Sequence, residues 1–289
     1  METHMKVLSV KQKSEEWLEI RRKCISATDL APIMGMSAYR SPLMLWEEKM
    51  GLRVRETNIA MERGSALEKK AIAWAEGILG CKLYDFTVQS EEYEWAIASL
   101  DGISEDGKIL VEAKCPGEMV HQRHLSGKIN QEYICQTQWQ MFVTGCEQCH
   151  FESFYGEEGH IIVIPRDNDF IQKMILKASQ FLHLLRVQIP PEPTDMDFMP
   201  RPDDKWHEAA QLWKMAKKHL KQAEEQEQTY RDILIELSRG YNCKGAGVRT
   251  QKVTKKGNIQ YGDIPMLKEI DLEFYRKPAT SYYMIKDEE

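Results

Sequence analysis

Ile109-Leu110-Val111-Glu112-Ala113-Lys114-Cys115-Pro116 is the stretch on which the reading of this chain turns. Its aliphatic and β-branched residues predict a strand, entered through a Glu105-Asp106-Gly107 turn. Side chains two apart on a strand share a face. Glu112 and Lys114 therefore point one way and Ala113 the other. Charges two apart also occur on solvated hairpin faces. The apolar flanks narrow the choice here to an ion pair or a site.

Upstream, Phe86-Thr-Val-Gln and Trp95-Ala-Ile-Ala are strand-like, and Leu100-Asp101-Gly102 breaks the second of them. If that strand neighbours the one holding Glu112, Asp101 meets Glu112. Two carboxylates converging beside a lysine repel each other unless a cation lies between them. Hard oxygen ligands with room for water and phosphate suit Mg²⁺. The lysine would then hold or polarise a water for attack on phosphorus.

Further out, helices are expected over 14–24 with Ser14 as cap, from Ser26 to about Gly35, from Ser41-Pro42 onward, and over 58–78. That last helix carries the carboxylate of Glu68. Residues 128–144 read as a helix with Tyr133 and Gln136 on one face, Glu132 projecting elsewhere. Phe151–Tyr155 and His160–Pro165 form an expected hairpin around 156–159, and 168–188 an amphipathic helix. The fold class is α/β: a restriction-endonuclease-like core over 6–190, with a central mixed sheet flanked by helices. Five prolines mark 191–202 and its approach as a linker. The extension over 203–289 comprises a long charged helix (203–239) with an apolar stripe and a small hairpin about Lys256-Gly257-Asn258. The helix is expected to pack between subunits or against the core.

No apolar run nears the roughly 20 residues of a membrane span, so no membrane partner is expected. No basic end followed by an apolar stretch opens the sequence, and seven cysteines, an odd number, point to reduced thiols in a cytoplasm. Cys146-Glu-Gln-Cys149-His150 spells a haem-attachment pattern. Its place between a core helix and a strand argues for free, mostly buried thiols instead. A net charge of −6 neither favours nor excludes nucleic acid. The acid-free stretch 244–256, with Lys244, Arg249, Lys252, Lys255 and Lys256, serves equally as a phosphate track or as a solubilised hairpin.

Five motifs stand in order: Trp17-x3-Arg21 leading to Ile25-Ser-Ala-Thr28, Gly64-x3-Glu68, Ser99-Leu-Asp101-Gly102, Glu112-Ala-Lys114-Cys115-Pro116, and Tyr133-x2-Gln136-x-Gln138. In this order and spacing the chain resembles the lambda-exonuclease-like, YqaJ-type viral recombinases of the PD-(D/E)XK nucleases, over residues 15 to about 190. The resemblance implies Mg²⁺, two ions, held by Asp101, Glu112, the Ala113 carbonyl and Glu68, and leaves the choice between Mg²⁺ and Mn²⁺ open. It implies that Lys114 positions the attacking water, that Tyr133 and Gln136 line the centre, and that Arg21, Thr28 and Ser99 hold a terminal 5′-phosphate. The implied activity is 5′-to-3′ digestion of double-stranded DNA ends, leaving 3′ single strands for recombination by strand annealing. The implied partners are a single-strand annealing protein and further copies in a ring, such as a trimer, in a bacterial cytoplasm and phage or prophage encoded. An endonuclease on the same core, or an inactive DNA-binding scaffold, are the alternatives. Read singly, Arg21 is more often a helix-end charge, Thr28 a cap and Glu68 a surface residue, and Ser99 serves as a turn residue and Tyr133 as a core ring.

Overall fold

The computed structural model describes residues 5–54 and 59–255 and scattered positions from 257 to 280. The chain divides into two compact units, Met1–Phe198 and Met199–Glu289. In the first, the elements in chain order are β1 (Met5–Leu8), α1 (Glu15–Lys23), β2 (Ile25–Ser26), a 3₁₀ turn (Ala27–Asp29), α2 (Leu30–Ile33), α3 (Pro42–Lys49) and α4 (Ile59–Leu79). There follow β3 (Leu83–Tyr84), β4 (Thr87–Ser90), β5 (Ala96–Ser99), β6 (Gly102–Ser104), β7 (Leu110–Lys114), α5 (Glu118–Leu125), α6 (Gln131–Thr144), β8 (Gln148–Tyr155), β9 (Glu158–Pro165) and α7 (Asn168–Val187). The second unit holds α8 (Asp204–Leu237), β10 (Cys243–Gly245) and β11 (Val248–Thr250).

Local chemistry sets several of these boundaries. Ser14 Oγ accepts the Trp17 N–H at 3.2 Å to start α1, and Ser41 Oγ accepts that of Met44 at 3.0 Å, with Pro42 at the first helical position of α3. Gly145, at φ 77°, stops α6 in the left-handed conformation that glycine adopts without a Cβ penalty. The hairpin β8–β9 turns on Gly156-Glu157 alone: β8 ends at Tyr155 as expected but starts earlier, at Gln148, and β9 begins two residues nearer the turn than the sequence indicated, at Glu158.

The central sheet has the order β3-β6-β7-β8-β9, with β7 and β8 parallel and the other pairs antiparallel. The α5–α6 segment makes the crossover that a parallel pair requires. A second sheet, β1-β4-β5-β2, was not foreseen. β5 belongs to it, whereas β6 belongs to the central sheet, so Leu100-Asp101 is the joint between the two. Leu100 is fully buried there. Gly102 lets the chain enter the central sheet tightly, since a Cβ on it would lie 3.1 Å from that of Leu83. Trp139 of α6 spans to the other sheet, donating from its indole to the Ile97 carbonyl at 3.1 Å.

Alternation along β7 separates two surroundings. Glu112 and Lys114 lie on the face shared with Phe151 and Ser153 of β8, whereas Ala113 pairs with Glu152 on the other face. On that second face Ala113 packs with Ala71 of α4 and Phe154. Glu152 is fully buried there, and neither of its carboxylate oxygens has a hydrogen-bond partner among the described residues. Gly159 across the hairpin has no room for a side chain: a Cβ would meet the Trp74 ring at 2.6 Å and Glu152 Oε1 at 2.8 Å.

In the second unit, α8 has no buried residue. The small hairpin lies earlier than expected: β10 and β11 join through Ala246 and Gly247, both at positive φ, as a two-residue hairpin turn demands. Gly257 and Asn258 belong to no strand, and Lys256 lies outside the described residues. All seven cysteines are unbridged, three of them buried, three half-buried and Cys243 exposed, so burial is less general than expected. No helix among the described residues is long and apolar enough to cross a membrane.

Burial raises the Glu152 pKa to about 8. The folded protein thus keeps a proton there that the unfolded chain releases near pH 4, and stability falls as pH rises between those values. Glu152→Gln is expected to flatten that slope by about 2–4 kcal/mol between pH 5 and pH 8. Urea unfolding of both proteins at several pH values checks this, and equal slopes would refute it.

Candidate active site

The site forms where β7 ends. Glu112 is completely buried, and three donors meet its carboxylate. Lys114 and Gln136 both bond Oε1, the latter at 2.7 Å, and Gln140 bonds Oε2 at 2.5 Å. Two glutamines four apart on α6 thus grip one carboxylate from the same helix face. Asp101 reaches the same end of the sheet from the joint, because Gly102 pairs with Val111 and sets its neighbour opposite Glu112. Its Oδ2 accepts the Ala113 N–H at 2.9 Å.

The electrostatics show a centre with more negative charge than it can hold comfortably. Asp101 is half-buried by surface area, yet packed closely enough that desolvation is the largest influence on it. Burial first, then Glu112, and further Glu68 push its pKa well above the usual aspartate range, against Lys114 and the Ala113 N–H. Glu68 on α4 is thereby placed within electrostatic reach of Asp101. Burial disfavours the Lys114 ammonium, but Glu112, Asp101 and the hydrogen bond to Glu112 outweigh it and raise its pKa. Lys114 Nζ also lies 5.4 Å from the centre of the Tyr133 ring, which stacks on Phe151 at 5.6 Å.

The donors present suit a hard divalent cation: the carboxylates of Asp101, Glu112 and Glu68, with the Ala113 carbonyl between two of the site residues. Excess negative charge around Asp101 is what such an ion removes. The side chains do not yet converge on one point. Among the described residues no three acidic, histidine or cysteine side chains stand together as a ready metal cluster. The physical reason is visible in Lys114, whose ammonium occupies the cation's electrostatic place against Glu112.

A second polar cluster adjoins the first. Arg21 donates to Thr28 Oγ1 at 2.8 Å and lies over the Trp17 ring, 4.6 Å from its centre. Trp17 in turn donates from its indole to Ser99 Oγ at 3.0 Å. The predicted trio Arg21, Thr28 and Ser99 is therefore one connected group, and Ser99 stands two residues before Asp101. Buried Asp29 anchors it, facing Lys49 at 2.9 Å, Arg40 at 3.6 Å and Arg21 at 3.9 Å. Burial opposes its charge, but Lys49, Arg21 and Arg40, with the Ser26 N–H, hold its pKa far below the ordinary value. Glu48 takes a share of Arg40 at 2.8 Å. Three cations against two carboxylates leave positive charge over, and Arg21 is the most open of the three at 20% side-chain exposure. An anion fits there.

Reading the sequence had missed Gln140, whose signal was its four-residue spacing from Gln136. It had missed α5 as well. His121 Nδ1 and His124 Nδ1 of that helix both contact Ser153 Oγ at 2.9 Å, on the face of the sheet that carries Lys114. One hydroxyl proton serves one ring, so the other ring must donate. Burial lowers the pKa of both histidines. His124 sets the Tyr133 ring edge-on at 5.8 Å. Gln138, part of the quoted motif, is structural: it donates to the Pro165 carbonyl and accepts the Asp167 N–H.

A model of the YqaJ-like viral recombinase domain matches residues 16–147, which include Arg21, Thr28, Glu68, Ser99, Asp101, Glu112, Lys114, Tyr133 and Gln136. The crystal structure of an alkaline exonuclease, LHK-Exo from Laribacter hongkongensis, is similar with a TM-score of 0.54 and 30% identity, over 61% of this chain and 94% of that one. The chain belongs to the lambda-exonuclease-like, YqaJ-type viral recombinase family. LHK-Exo in complex with dAMP matches over the same shares, at 29% identity and a TM-score of 0.54. The uncharacterized protein YqaJ of Bacillus subtilis (strain 168) is 29% identical over 172 residues, 57% of this chain and 54% of that protein. The chain thus spans about half the length of that curated relative. Family membership makes the core a nuclease domain, and residues beyond 198 lie outside the matched region.

Gln140→Leu would leave Glu112 Oε2 buried without its donor. The expected loss is roughly 1–3 kcal/mol of stability by urea unfolding. A loss near zero would show that another group takes over the bond.

Proposed function

We propose that this protein is a Mg²⁺-dependent 5′-to-3′ double-strand DNA exonuclease that leaves 3′ single strands for recombination by strand annealing. The observation that carries the reading is the meeting of Asp101, Glu112 and Lys114 at one end of β7, beside the cationic group of Arg21. An acidic centre serves bond cleavage, and an adjoining anion site gives a DNA end its polarity.

Asp101, Glu112, the Ala113 carbonyl and Glu68 would hold Mg²⁺, two ions on the family pattern, or Mn²⁺ in its place. When bound, the metal supplies charge neutralisation and a more acidic water. Gln136 and Gln140 keep the Glu112 carboxylate aimed. Lys114 would hold the attacking water at the end of β7, with Tyr133 as the wall beside its ammonium. Arg21 and Thr28, with Ser99 across Trp17, would receive the terminal 5′-phosphate and set the scissile bond against the acidic centre. The complex of LHK-Exo with dAMP supports this, since a nucleoside monophosphate is what such hydrolysis releases. A ring of copies around duplex DNA, an annealing protein as partner and a phage or prophage origin in a bacterial cytoplasm complete the proposal.

The test is linear duplex labelled separately at each 5′ and 3′ end, with and without Mg²⁺, beside a covalently closed circle. Loss of the 5′ label first, only with the metal, and an intact circle are expected. A nicked circle would establish the endonuclease reading instead, and no release at all the inactive scaffold. Lys114→Ala and Asp101→Ala should each lower the rate at least about 1,000-fold, comparable to removing a principal electrostatic group, while circular dichroism stays unchanged. Arg21→Ala should weaken the preference for phosphorylated over hydroxyl 5′ ends. An equal loss on both ends would dismiss the phosphate pocket.

A further inference from the structure

α8 runs 34 residues without burying one of them, about 51 Å at 1.5 Å per residue. Counted in sevens, one position of the helix holds Trp206, Trp213, Leu220, Glu227 and Leu234. The position three further on holds Ala209, Ala216, Ala223, Tyr230 and Leu237. This is the a/d pattern of a coiled-coil seam, sustained over five repeats. The seam stands open: Trp206 is 54% exposed, Leu220 60%, Tyr230 66% and Leu237 71%. An amphipathic helix draws most of its stability from covering such a stripe.

Charge decides what covers it. Residues 204–222 carry five lysines against two acids, and residues 223–237 carry five acids against one arginine. That polarity opposes the helix dipole, which favours acids near the N-terminus and bases near the C-terminus. It is a cost to a lone helix. A parallel second copy would set like charges side by side. An antiparallel copy sets the basic half of each helix against the acidic half of the other.

The antiparallel arrangement also packs. Centred between Lys221 and Gln222, it puts Trp206 opposite Leu237 of the second copy, Ala209 opposite Leu234, Trp213 opposite Tyr230 and Leu220 opposite Ala223. A bulky group thus meets an alanine in two of these layers. Glu227 meets Ala216, next to Lys217, and one polar residue in a seam fixes register. On the flank, Lys217 comes level with Gln226, two residues from Glu224. We propose that α8 is a self-association surface through which two copies of this chain pair antiparallel. The inference does not rest on what the core hydrolyses.

Size-exclusion chromatography with light scattering on the full chain tests it. The wild type is expected as an even number of chains. Leu220→Glu should halve the apparent mass, and so should the combined Lys214→Glu, Lys217→Glu and Lys218→Glu. Adding Glu224→Lys, Glu225→Lys and Glu227→Lys to that triple variant should restore the full mass, which a merely unfolded helix could not do. A single chain or an odd number for the wild type would overturn the proposal. So would an unchanged mass in Leu220→Glu, an unchanged mass in the triple lysine variant (the mark of a parallel pair or of another occupant), or no restoration by the second set.

Discussion

The first unit depends on a carboxylate kept in its interior. Glu112 has no exposed surface, so its charge must be matched within the protein, and Lys114, Gln136 and Gln140 do this. Breaking a buried pair by removing one partner costs about 3–5 kcal/mol, because the other charge stays behind. The grip therefore fixes β7 against α6. It also lets Tyr133 and Lys114 be positioned by the same two elements, so that the stability of the core and the geometry of the site become one requirement.

Asp29 plays the corresponding part on the second sheet. Its three cations come from α1, from the segment before α3 and from α3 itself, so one carboxylate ties together three parts of the chain remote from β7. Lys49 also donates to the Arg21 and Cys24 carbonyls, which fixes the end of α1. The two anchors differ in sign of surplus. Around Asp101 and Glu112 the excess is negative, and around Asp29 it is positive. Under the proposed function the two would serve different ends of one substrate: a cationic hold on a phosphate, and an acidic centre at the bond to be cut.

Much of this was legible in the chain because period-2 and period-3.6 patterns carry burial directly. β7 and the same-face placement of Glu112 and Lys114 follow from alternation alone, and the caps at Ser14 and Ser41 from residue type. What escaped had a polar interior. α5 buries His121 and His124 rather than aliphatic residues, so hydrophobic periodicity passes over it. Asp29 resembles any acid at a helix start until the three cations around it are seen. The division into two sheets escaped for another reason: β2 of one sheet and β6 of the other are two and three residues long, shorter than any periodic signal, and are defined by their partners. Gln140 lay in view at helical spacing from Gln136, but only the fold shows both aimed at one carboxylate.

The joint at Leu100-Asp101 explains how these parts come to act together. Ser99 closes a strand of one sheet and contacts the Arg21 group through Trp17. Gly102 opens a strand of the other and carries Asp101 to Glu112. A single three-residue step thus moves the chain from the cationic cluster to the acidic one. Two sheets that share this step cannot shift against each other without pulling Ser99 from Trp17 or Asp101 from the Ala113 N–H. The spacing between the two clusters is therefore set by covalent geometry, about 3.3 Å per extended residue, and not by the softer packing of helices around them.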